Sequence, residues 1–114
     1  MKTWEKDSIR RQFASAAERA ENYARELAGR IKRDPNGSSD SVKDLHDEHL
    51  AKWYVYDSFS YSSCLESRDE FLEEVKMRLE TTFDYKMFGC FNLENSQKHW
   101  RFCMNRLIRE FENP

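Results

Sequence analysis

The sequence predicts an all-α fold, a single bundle of about four helices led by a long first helix. Three observations carry that prediction. Apolar residues recur at helical spacing through most of the 114-residue chain, with only three glycines and two prolines in it. Pro35 is the one strong backbone break away from the chain end, which is too little punctuation for a turn-rich β-fold. Ser, Asp and Asn stand where the apolar patterns begin, as helix caps do. A chain of this length supports one hydrophobic core, so residues 1–114 are expected to form a single domain.

The first helix is expected from about Trp4 to about Arg33. Ile9, Phe13, Ala17, Ala20, Ala24, Leu27 and Ile31 recur at steps of three and four, one stripe of an α-helix. Thr3 is a candidate cap; Arg30, Lys32 and Arg33 suit the negative end of the helix dipole, and Asp34-Pro35-Asn36-Gly37 ends the helix. About thirty residues at about 1.5 Å each make a rod of roughly 45 Å, long for a domain whose radius of gyration should be about 13 Å. One end is therefore expected to overhang or to meet another chain. The rod is also rich in alanine (Ala14, Ala16, Ala17, Ala20, Ala24, Ala28). Such a surface suits close packing inside the bundle, or a seam that forms a homodimer through the first helix.

A second helix, capped by Asp40 or Ser41, carries Val42, Leu45, His49, Leu50, Trp53 and Tyr54 and breaks in the serines near 60–63. Trp53 to Tyr61 also has strong β-propensity. The competing architecture is therefore α+β, with a short hairpin formed by 53–61 and 86–91. Ser67-Arg68-Asp69-Glu70 reads as a capping box before Phe71, Leu72, Val75, Leu79 and Phe83. After a connection from Asp84 to Leu93, Asn92 or Asn95 caps a fourth helix bearing Trp100, Cys103, Met104, Leu107, Ile108 and Phe111.

Composition narrows the function classes. The opening MKTWEKDSIRRQ lacks the apolar run of a signal peptide, and no window approaches the about 18 apolar residues of a membrane span. Cys64, Cys90 and Cys103 lack CxxC spacing and read as three free thiols in a reducing compartment. A cytoplasmic protein with no membrane contact is the expectation. Charge is uneven: residues 1–33 hold nine Lys/Arg against five Asp/Glu, residues 34–85 five against thirteen, and residues 86–114 five against three. Either the basic first helix lies against the acidic middle, or the polarised surface steers a charged partner.

Candidate chemistry is sparse. His46 and His49 are three apart and His99 and Cys103 four apart, so each pair can share a helix face, and the four together could enclose a tetrahedral metal. The chain has no HExxH, CxxC or ExxH, no glycine-rich phosphate loop and no nucleophile elbow. Glu70, Glu73, Glu74 and Glu80 have the spacing of a solvated helix face. No cofactor is expected.

Sixteen aromatic rings together with many arginines make a composition that supplies interface anchors. The expected contact residues are Arg10, Arg11 and Arg19 on the first helix, with an aromatic and acidic patch of Tyr54, Tyr56, Tyr61, Glu73 and Phe88. The functional expectation is a small non-enzymatic helical module that binds a protein or a protein–nucleic-acid complex. It would act as an adaptor or stoichiometric inhibitor, of the kind that mobile elements and phages encode. Two alternatives stand beside it. One is a nucleic-acid-associated protein using the basic first helix, with stacking from Trp100 beside Lys98, Arg101, Arg106 and Arg109. The other is a metal-dependent helical enzyme centred on His46, His49, His99 and Cys103.

Overall fold

The structure, a computed structural model, describes residues 4–34, 36–37, 39–81 and 89–112. Four α-helices make up the bundle: α1 Lys6–Arg33, α2 Asp40–Ser60, α3 Arg68–Thr81 and α4 Leu93–Glu112, with a 3-10 turn at Ser63–Glu66 between α2 and α3. Residues 53–60 are helical and no strand occurs among the described residues, which sets aside the hairpin architecture; 86–88 lie outside the described residues. Packing overrides the β-propensity here. Ala51, Val55 and Phe59, spaced four apart, are all 1% exposed or less, a burial row that only a helix produces.

α1 begins at Lys6, with Glu5 at the cap position making no side-chain cap bond; Thr3 lies outside the described residues. Trp4 is not yet helical, and its indole Nε1–H donates to the Leu65 carbonyl at 2.7 Å. The expected stripe is the buried one: Phe13, Ala17, Ala20, Ala24 and Ile31 are buried, and Ile9 and Leu27 half-buried. Its principal neighbour is α2, which runs back along it. Phe13 meets Tyr56 and Phe59, and further up the rod Tyr23 stacks on His49 at 5.1 Å. The small residues Ala17, Ala20 and Ala24 thus let α2 approach closely, so this seam is consumed within the chain.

α1 at about 1.5 Å per residue is about 42 Å long, and the molecule measures 49 × 26 × 22 Å. The rod therefore spans the long axis. Its N-terminal end does not overhang, because Trp4 and the Lys6–Glu66 ion pair at 3.0 Å tie it to the 3-10 turn.

Local caps set the other helix starts. Ser39, one residue before the expected positions, caps α2 by accepting the Val42 N–H at 3.3 Å. Ser67 accepts the Glu70 N–H at 3.1 Å ahead of α3, and Asn92 accepts the Asn95 N–H at 3.0 Å ahead of α4. α4 packs on α2 and on α3 and runs parallel to α2, with His99 beside Asp44 and Cys103 beside Tyr56. At the end where α1 starts and α2 and α4 finish, the core is a ring cluster. Phe71, fully buried, has the rings of Trp4, Phe13, Phe59 and Phe111 at 5.1–5.8 Å around it.

Candidate partner-binding groove

α2 touches both α1 and α4, while α1 and α4 meet each other where Phe13 and Phe111 cross edge to face at 6.1 Å. Past that contact a groove of about 460 Å³ lies between them. Ser8, Arg11, Gln12, Ser15, Ala16 and Arg19 form its α1 wall, and Leu107, Glu110 and Phe111 its α4 wall. Tyr56 of α2 closes the bottom together with Phe13. The sequence produces this profile simply. The side of α1 next to its alanine seam carries short polar residues and two long cations, whereas the facing edge of α4 carries Leu107 and Phe111 from its buried stripe.

Three expected contact residues, Arg11, Arg19 and Tyr56, are thereby brought together. The others are dispersed. Arg10 is half-buried and its guanidinium donates to the carbonyls of Ser60 at 2.7 Å and Ser62 at 3.3 Å. It satisfies carbonyls at the end of α2, where a cation also suits the dipole, and so belongs to the fold. Tyr54 is half-buried, packed against the core and against Trp53. Tyr61 follows α2 and stands 81% exposed. Glu73 lies on α3 in a separate hollow of about 640 Å³. Phe88 lies outside the described residues. Among the described residues the single aromatic and acidic patch expected from the middle of the chain is therefore not assembled, because helical rotation turns Tyr54 and Tyr56 to different sides of α2.

The Glu73 hollow is a weaker candidate although it is larger. Seven of its eight lining residues come from α3, with Glu112 alone contributed by α4, and the Lys76–Glu112 ion pair at 2.9 Å lies within it. It is one helix face and not a cleft between elements.

The four candidate metal ligands are not gathered. His46 holds Asp47 (Nδ1···Oδ1 2.9 Å), His49 stacks on Tyr23, His99 pairs with Asp44 (2.9 Å), and Cys103 meets Tyr56. The α2 side chains that meet His99 and Cys103 are Asp44 and Tyr56, not His46 or His49. Among the described residues no three His, Cys, Asp or Glu side chains cluster as a metal site.

The charges at the groove are uncommitted. Arg11 and Arg19 carry no ion pair among the described residues; Arg19 donates to Ser15 Oγ at 3.0 Å, back along its own helix. Elsewhere on α1 the cations Lys6 and Arg25 are paired with Glu66 and Glu21. Behind the groove, burial pushes Tyr56 up to about 12, helped by Cys103 beside it. Burial likewise pushes the Cys103 thiol up to about 11, opposed by Lys52, the Tyr56 hydroxyl and Arg106. Both groups are neutral at physiological pH, so the floor presents an uncharged surface under two cations. The Cys103 thiol is a packing group, not a nucleophile.

Two expected outcomes follow from this geometry. In the unfolded chain Cys103 and Tyr56 lose their protons near 9.0 and 10.0, and in the fold near 11 and 12. Their contribution to stability is therefore complete below pH 9 and is lost as pH rises from there through the folded values. Urea midpoints taken between pH 8 and 11 should fall, and Tyr56→Phe should flatten the fall. The second outcome separates the neighbouring arginines. Arg10→Ala is expected to cost about 1.5–3 kcal/mol through its lost charged hydrogen bonds, and Arg11→Ala within about 0.5 kcal/mol of nothing, read by the same unfolding curves.

Two features escaped the sequence reading. Trp100, placed both on the apolar stripe of the fourth helix and as a stacking group, is 3% exposed and belongs to the stripe, whereas Phe102, in neither role, is 62% exposed. The signal was present, since Trp100, Cys103, Met104, Leu107 and Phe111 make one stripe and Phe102 falls off it. Asp47 is the second. At 1% exposure its carboxylate accepts the Phe91 N–H at 2.9 Å and the Asn92 N–H at 2.8 Å. No family model, no curated protein and no solved structure matches the chain.

Proposed function

We propose that the protein is a non-enzymatic binding module whose α1–α4 groove receives a macromolecular partner, in the manner of an adaptor or stoichiometric inhibitor. The observation that carries the reading is the pairing of the half-buried rings of Tyr56 on the floor and Phe111 on the α4 wall with two arginines that no carboxylate holds among the described residues. A desolvated aromatic and aliphatic centre edged by arginine is the composition of binding hot spots. Of the four described contact residues expected in the middle of the chain, Tyr54, Tyr61 and Glu73 stand away from this groove, so the reading narrows to its walls. Any association between copies through α1 would have to use a face other than the alanine seam.

The test uses the 114-residue chain and its Ala16→Trp variant, which fills the groove from the α1 wall. Both are immobilised and offered extract of the source cells. A partner retained in stoichiometric amount by the unaltered chain and lost with Ala16→Trp supports the reading. Equal retention by both, or no retention together with a monomer in light scattering, overturns it.

A second reading, direct nucleic-acid contact, draws on Phe102 standing on α4 among Lys98, Arg101, Arg106 and Arg109. Exposed rings beside cations are the elements of single-strand binding. Lys98 is spanned by Glu94 at 3.8 Å, and the whole chain carries net charge −2, which weakens it. Gel-shift titration at two salt concentrations decides: absence of binding at low salt, where phosphate contacts are strongest, ends this reading.

A further inference from the structure

We infer that the occupant of the α1–α4 groove is an acidic amphipathic helix supplied by a partner protein, an inference that rests on the reading of that groove as the binding surface. The α1 wall runs from Ser8 to Arg19, about 16 Å at about 1.5 Å per residue, the length of three helical turns. A groove of that length between two helices, apolar at its base and polar at its rims, matches the helix-in-groove mode of recognition.

Charge sets the rest of the pattern. Arg11 and Arg19 are two turns apart on one wall, about 12 Å, and neither has a carboxylate partner among the described residues, unlike Lys6 and Arg25 on the same helix. Guanidinium groups are strong and selective acceptor seekers, and carboxylate pairs with them in a planar, two-bond geometry. The occupant should therefore place carboxylates at i and at i+7 or i+8 along one edge. Between them, apolar side chains at i+3 and i+4 face the half-buried rings of Tyr56 and Phe111. Glu110 on the other wall calls for one cation on the opposite edge, which fixes the direction of the bound helix. Nucleic acid fits this groove less well: two guanidiniums make few phosphate contacts, Glu110 repels a third, and the Tyr56 ring is half-buried instead of offered for stacking.

The experiment is selection from a displayed library of random peptides of about fourteen residues, long enough for three turns, on the 114-residue chain. Enriched peptides are expected to be acidic, with carboxylates two turns apart around an apolar stripe. They should bind the Ala16→Trp variant poorly and lose about tenfold or more in affinity with Arg11→Glu/Arg19→Glu, roughly one charged hydrogen-bonded pair. Arg11→Gln/Arg19→Gln is the milder check, and urea midpoints confirm that each variant folds. Peptides that depend on the groove but are uncharged or basic overturn the acidic-helix assignment and leave the groove reading standing. Peptides indifferent to Ala16→Trp overturn both. Oligothymidylate that binds at low salt and is released by Arg11→Glu/Arg19→Glu replaces the helix with nucleic acid as the occupant.

Discussion

Replacing Phe71 with alanine is expected to lower stability by about 3–5 kcal/mol, the range for emptying a buried aromatic site. Phe71 is fully buried and is the one ring in contact with Trp4 before α1, Phe13 on α1, Phe59 on α2 and Phe111 on α4. It thus joins α3 to every other helix at once. The pairs sit in tilted and edge-to-face arrangements, each adding about 0.5–1.5 kcal/mol to the burial of area alone. Its neighbours cannot close the hole easily, since Phe59 is itself fixed by Arg78, whose guanidinium lies 4.4 Å over the ring and donates to Ser58 Oγ. For a domain of this size the loss corresponds to a fall in midpoint temperature of roughly 12 °C or more. Phe71→Leu should lose less. A loss under about 1 kcal/mol for Phe71→Ala would show that the ring cluster is not what holds α3 in place.

Asp47→Ala is expected to have the next largest effect, by a different route. The carboxylate is buried, and it accepts the N–H groups of Phe91 and Asn92 and the Nδ1 of His46 at 2.9 Å. These bonds anchor the approach to α4 across a sequence separation of 44 and 45 residues. Removing the acceptor leaves the buried His46 ring and two part-buried backbone donors without their partner. Losing hydrogen bonds to a charged acceptor costs about 1.5–3 kcal/mol. The loss should be local as well as global: hydrogen exchange at the Phe91 and Asn92 amides should accelerate first. Asp47→Asn keeps the shape and one acceptor oxygen and should lie between the two. Unchanged exchange at those amides in Asp47→Ala would contradict the anchoring role.

The fold was readable from the sequence wherever its determinants are local. The stripe from Phe13 to Ile31, the serine of the Ser67-Arg68-Asp69-Glu70 cap and the Asn92 cap each involve residues a few positions apart, and each is present in the structure. On α2 the reading failed in detail. Of the apolar residues expected along it, Leu50 is buried but Leu45 is 43% exposed, and the fully buried row is Asp47, Ala51, Val55 and Phe59. An aspartate on an apolar i, i+4 row was a signal that a carboxylate would be buried, but its donors lie on another element and could not be foreseen. Arg10 and Arg11 illustrate the same limit. Adjacent and chemically identical, they differ because the end of α2 lies beside one and open groove beside the other. The groove itself depends on how far α1 and α4 stand apart on α2, which no spacing within a single helix encodes.

On the proposed function, Arg11 and Arg19 serve binding and not folding. That claim is tested most directly by measuring urea unfolding and partner capture side by side for Arg11→Glu/Arg19→Glu. The unfolding free energy should stay within about 0.5 kcal/mol of the unaltered chain, as at exposed sites without ion pairs, while capture is lost. A loss of several kcal/mol in stability, or capture that persists at full strength, would contradict the claim.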